Sequence, residues 1–109
     1  MDNPNMTSLD QDSFETEVLK QEGISVVDFY ADWCNPCQLL LPILDELAVE
    51  LKDNVKFFKC NIEGQREIAR KYKVMSIPTI IFFKNGEVMD KLTGLSEKKE
   101  ILKFVNKML

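Results

Sequence analysis

From Asp10 onward, the chain switches between two spacings of apolar residues. Phe14, Val18 and Leu19 recur at helical intervals, Asp12 with Glu15 suits a capping box, and Gly23 is a stop signal. Ile24, Val26, Val27 and Phe29 follow too continuously for a half-solvated strand, so residues 24–30 are predicted as a central strand covered on both faces. Ahead of them, residues 1–5 read as a loose tail and Met6–Leu9 as a short edge strand.

The helical period returns in residues 34–51 through Leu40, Ile43, Leu44, Leu47, Ala48 and Leu51. Pro42 lies inside that helix, where it removes the donor that the Gln38 carbonyl would use and bends the axis. After the Asp53-Asn54 turn, residues 55–61 read as a strand with Phe57 and Phe58 on opposite faces. Gly64 opens a short helix, residues 65–72, with Ile68, Ala69 and Tyr72 inward. Asn85-Gly86 joins strands 79–84 and 87–93 into an antiparallel hairpin. Ser96 is the expected cap of a last helix that turns Ile101, Leu102, Val105 and Leu109 inward. Strands alternating with helices and then a hairpin imply a three-layer α/β sandwich, helices on both faces of the sheet.

A length of 109 residues suits one domain, residues 1–109, and a 45% hydrophobic content gives it a core without a metal or a disulfide cage. With 14 basic and 18 acidic residues the formal charge is −4, which argues against nonspecific binding to nucleic acid or anionic membrane. No stretch is long and apolar enough to span a bilayer. The polar, acidic opening MDNPNMTSLDQD is unlike a secretory signal, so a reducing cytoplasm is the expected compartment. No glycine-rich nucleotide turn follows a strand.

The chemistry concentrates where the central strand meets the long helix, at Trp33-Cys34-Asn35-Pro36-Cys37. A first helical turn brings two cysteines three apart within reach of one another, and Pro36 is tolerated there because its missing N–H has no helical partner. Cys34 stands where free N–H groups and the positive end of the helix dipole favour a thiolate, the form that attacks a disulfide. Cys37, one turn further in, is the resolving thiol. A four-ligand zinc site would need two more Cys or His, and the chain has no histidine and only Cys60 besides; an inert bridge is the other alternative. Asp28, a carboxylate between Val27 and Phe29, is either satisfied by a backbone group or a proton acceptor six residues before the first thiol. Trp33 either covers the helix start or offers a contact platform, Lys59 snorkels from its strand, and Cys60 reads mainly as a small buried hydrophobe.

VVDFYADWCNPC, the SIPT segment at 76–79 and FFKNGEV at 82–88 resemble the thioredoxin family over almost the whole chain. Asp28, Trp33-Cys34, Pro36-Cys37, Pro42, Ile77-Pro78-Thr79, Gly86 and Gly94 carry the likeness together, where a bare Cys-x-x-Cys would be weak. The resemblance implies the thioredoxin fold with a mixed five-stranded sheet and a cis Ile77-Pro78 peptide placed against the dithiol. It assigns Asp28 to the deprotonation of Cys37, brings Lys59 near Asp28, and makes Trp33, Ile77, Pro78 and Gly94 a contact surface for clients. It further implies a monomer with no metal and no bound cofactor. Its reducing equivalents would come from a partner thioredoxin reductase and pass to disulfide-containing client proteins.

Three positions depart from the family's usual pattern. Asn35 stands for glycine, Gln38 for lysine and Tyr30 for tryptophan. Asn35 and Gln38 are expected to shift the redox potential while leaving the activity in place, with a sign that the sequence leaves open. The leading expectation is a general protein disulfide reductase. A dithiol oxidant or isomerase, or a binding scaffold whose affinity follows the oxidation state of the pair, are the alternatives.

Overall fold

The structure, a computed structural model, describes residues 3–109. Five strands form one sheet in the order β1-β3-β2-β4-β5, with β1 at Thr7–Ser8, β2 at Ile24–Tyr30, β3 at Val55–Asn61, β4 at Thr79–Lys84 and β5 at Glu87–Thr93. β1, β2 and β3 run parallel, whereas β4 lies antiparallel to both β2 and β5, which makes the sheet mixed. The apolar run of β2 places it at the centre, as a strand buried on both faces requires.

Strand alternation sorts the core into two layers. Val26, Phe57, Ile80 and Phe82 meet helix α2, Asn35–Glu50, through Leu40, Leu44 and Leu47, and helix α4, Lys98–Met108, through Ile101 and Val105. Val27, Phe29, Phe58, Ile81 and Phe83 meet the opposite layer, formed by α1, Gln11–Phe14, and α3, Arg66–Lys71. Phe57 and Phe58 therefore do serve opposite faces. This is the three-layer α/β/α thioredoxin fold, with α2 and α4 over one face and α1 and α3 over the other.

Four local expectations are corrected. The first helix is capped by Asp10 rather than Asp12: Asp10 accepts from the Ser13 N–H at 2.8 Å while Ser13 Oγ accepts from the Asp10 N–H at 2.9 Å. Serine at the third helical position closes the box that Glu15 was expected to close. That helix also widens into a π turn over Glu15–Leu19 and ends before Gly23, which lies in the turn into β2 at φ 92°. In the last helix Glu97 holds the capping position without a side-chain bond, because the Ser96 hydroxyl donates to the Gly94 carbonyl instead. Met108 rather than Leu109 completes its buried stripe, and Leu109 is exposed.

The β4–β5 turn ties the two edges of the core together. Asn85 adopts φ 52°, and its Oδ1 accepts from the Gly23 N–H at 2.7 Å. Gly86, at φ 81°, passes so near the Leu19 carbonyl that a Cβ would collide with it. Asn85→Ala keeps the strained conformation and removes the bond to Gly23, so a loss of about 1.5 kcal/mol is expected. A urea midpoint equal to that of the native chain would contradict it.

Candidate functional site

The loop after β2 delivers Ala31, Asp32 and Trp33 to the N-terminus of α2. Cys34 is the N-cap, with extended backbone, and its N–H donates to the Ala31 carbonyl at 3.1 Å. Asn35 and Pro36 form the exposed first turn. Cys34 and Cys37 are joined as a disulfide with Cα atoms 5.2 Å apart. The Cys37 N–H donates to Cys34 Sγ at 3.3 Å, so a free helix-end donor points at the outer sulfur, where it stabilises a thiolate once the bond is reduced. Cys34 keeps 5% of its surface open and Cys37 none, which makes Cys34 the sulfur an incoming disulfide can meet.

Across the cleft, Ile77-Pro78 is a cis peptide and the Ile77 carbonyl oxygen lies 3.9 Å from Cys34 Sγ. The Gly94 N–H donates to the Pro78 carbonyl at 2.8 Å, which joins the two loops into one rim. Ile77, Pro78 and Gly94 thus come together beside Cys34. Trp33 stands next to it in the chain with 69% of its surface open, so it covers little of the helix start. Within this chain nothing approaches the position of a Gly94 Cβ, so its φ of 93° explains the glycine without a close neighbour.

Asp28 lies on the same sheet face as Val26, toward α2, because β2 residues two apart share a face. It is completely buried, and neither carboxylate oxygen has a hydrogen-bond partner. The backbone partner that a structural role would need is missing. Burial holds its pKa well above the ordinary carboxylate value. Lys59 is the cross-strand neighbour of Asp28, yet its Nζ donates to Asn3 Oδ1 at 3.3 Å and leaves Asp28 unpaired. Tyr30, half-buried, has its phenol pushed up by burial first and then by Asp32 and Asp28.

Gln38 does something that its sequence position did not reveal. Its Nε2 donates to the Asp32 carbonyl at 3.1 Å and the Ala31 carbonyl at 3.4 Å, pinning the loop that carries Trp33 to the first turn of α2. The sequence showed a lost charge; the gained hydrogen bonds depend on where the loop turns back, which no local pattern encodes. Arg66, Arg70 and Lys73 follow one another at four- and three-residue spacing, Arg66 and Arg70 on one flank of α3 and Lys73 just past its end.

Cys60 is fully buried among Leu9, Phe29 and Ile68, and burial, then the Asp28 charge, push its thiol up to about 12. Its thiolate fraction at pH 8 is therefore on the order of 10⁻⁴. Iodoacetamide applied to the reduced, folded protein is expected to label Cys34 and spare Cys60; comparable labelling of Cys60 by mass spectrometry would contradict the burial. Among the described residues, no group of three or more His, Cys, Asp or Glu is placed to hold a metal. No helix among them is long and apolar enough to cross a membrane.

Comparison with known proteins gives a consistent result. The profile of the family described as Thioredoxin matches residues 5–107. The chain is 47% identical to the thioredoxin of Rickettsia typhi over 97 residues, 89% of this chain and 92% of that protein. It is 45% identical to the Rickettsia prowazekii thioredoxin over the same shares. With the Rickettsia bellii thioredoxin it shares 46% over 94 residues, 86% of this chain and 90% of that one.

Proposed function

Since the chain belongs to the thioredoxin family, we propose that it is a general protein disulfide reductase whose residues 1–109 act as one domain. The observation that carries this reading is the Cys34–Cys37 disulfide at the N-terminus of α2, its outer sulfur facing the Ile77 carbonyl.

In the reduced protein the Cys34 thiolate attacks one sulfur of a client disulfide, breaking that bond and releasing the first client thiolate. Cys37, once deprotonated, attacks Cys34 Sγ of the mixed disulfide and releases the second. Two electrons pass to the client, and the Cys34–Cys37 bond forms again. Asp28 exchanges the proton of Cys37: a carboxyl whose pKa burial holds well above the ordinary carboxylate value can hold and return a proton at a pH where an ordinary aspartate could not. Asn35, Pro36 and Gln38 shape the helix end at which the thiolate forms. Lys59, the cross-strand neighbour of Asp28, is the residue positioned to modulate it. Trp33, Ile77, Pro78 and Gly94 form the surface that receives the client, with the Ile77 backbone available to an extended segment.

A partner reductase returns the electrons, and the site works as a monomer in a reducing compartment, the cytoplasm. One dithiol and one inert buried thiol suit such a compartment better than a disulfide framework would. An insulin-disulfide reduction assay coupled to candidate reductases tests the reading. Turnover that requires both Cys34 and Cys37 is expected. Redox-dependent binding of clients without turnover would favour a scaffold instead.

A further inference from the structure

Beyond Ile77 the surface opens into a groove of about 710 Å³. Ile62, Ala69 and Val74 give it an apolar lining, and Met75, 92% exposed, stands open beside them. The groove adjoins the redox site through Ile62. Ile62 packs against the cluster of Ala31, Cys34 and Cys37, and Met75 stands two residues before Ile77.

Arg66, Arg70 and Lys73 line the same groove, opposed only by Glu63. Among the described residues none of the three cations enters an ion pair. In a chain of net charge −4 this is a local reversal of sign. Lys73 holds its place at a cost. The end of α3 is closed by the Val74 N–H donating to the Ala69 carbonyl at 2.9 Å and the Lys73 N–H to the Arg70 carbonyl at 3.1 Å. That closure sets Lys73 at φ 55°, a conformation in which glycine would avoid about 1 kcal/mol of strain.

We propose that Arg66, Arg70 and Lys73 make this groove select client segments that carry acidic side chains beside an apolar anchor. The inference rests on the reading of Cys34 and Cys37 as a reductase site and adds its substrate class. An acidic peptide fits where a nucleic acid does not, because the apolar lining is aliphatic and no lining residue is an aromatic on which a base would stack. Charges on a groove rim act chiefly on association, so the preference is salt-sensitive.

The test uses two peptides with the same disulfide loop and leucine anchor, one flanked by glutamates and one by lysines, with neutral bis(2-hydroxyethyl) disulfide as the control. At about 50 mM salt, kcat/KM for the acidic peptide is expected to exceed that for the basic one about tenfold, narrowing toward equality at about 0.5 M. The triple variant R66E/R70E/K73E is expected to invert the preference and reduce the neutral disulfide as the native chain does. Lys73→Gly removes one charge and the strain together, so it is expected to keep or gain stability while the preference falls about twofold. Equal rates for the two peptides, or a preference unmoved in both variants, would overturn the proposal. So would displacement of the acidic peptide by a single-stranded oligonucleotide at lower concentration than by free acidic peptide. Failure of the native protein to reduce the neutral disulfide would instead overturn the reductase reading on which the proposal stands.

Discussion

Cys34→Ser is expected to abolish disulfide reduction, a loss of at least about 10³-fold, with the fold intact. The sulfur it removes is the only one of the three with any open surface, since Cys37 and Cys60 are both fully enclosed. Among the described residues no other thiol has open surface. Cys37→Ser is expected to behave differently: the Cys37 N–H still points at Cys34 Sγ, so the first attack proceeds and the reaction halts at a mixed disulfide with the client. Mass spectrometry of that adduct distinguishes the roles. An adduct on Cys60, or residual turnover in Cys34→Ser, would contradict the assignment.

Asp28→Asn is expected to make the protein more stable and slower in one substitution. The carboxyl is fully buried without a hydrogen-bond partner, and its pKa is raised by burial. The folded state therefore keeps this proton at pH values where the unfolded chain, with a carboxyl near about 3.9, has released it. Its contribution to stability is whole below the unfolded pKa and is lost as pH rises toward the raised folded value. Asparagine carries no such proton. The stability gained by the variant should thus be small near pH 4, grow with pH, and level off above the folded pKa, reaching about 1–3 kcal/mol at neutral pH. Turnover is expected to fall roughly tenfold, the low side of general acid–base catalysis, because solvent still reaches the opened mixed disulfide. Parallel stability curves for the two proteins from pH 4 to 9 would refute the account of Asp28.

The parts of this molecule that were legible in the sequence are those set by local periodicity. Of the four longer strands, β2, β3 and β4 fall at the predicted positions because their apolar residues run nearly unbroken, and β5, largely exposed, because Asn85-Gly86 fixes where the hairpin turns. The dithiol turn was legible because helix-end chemistry, proline tolerance and cysteine spacing all act within five residues. Asp28 was visible as a charge inside an apolar run. What escaped the sequence depends on contacts between distant segments. The π turn at Glu15–Leu19, the hydroxyl of Ser96 turning back to Gly94, and the Gln38 amide reaching the Ala31 and Asp32 carbonyls are choices among partners that tertiary structure supplies. Lys59 shows the same limit. Register places it beside Asp28, but its long side chain goes to Asn3, some fifty residues away in sequence.

The most direct measurement of the central claim is an equilibrium redox titration of the native chain against a thiol–disulfide buffer, with free thiols trapped and counted by mass. The account predicts one reversible two-electron transition, following a Nernst slope of about 29.6 mV per decade, in which Cys34 and Cys37 gain and lose label together while Cys60 does not change. A pair that stays reduced or stays oxidised across the whole buffer range, or a transition that involves Cys60, would contradict it.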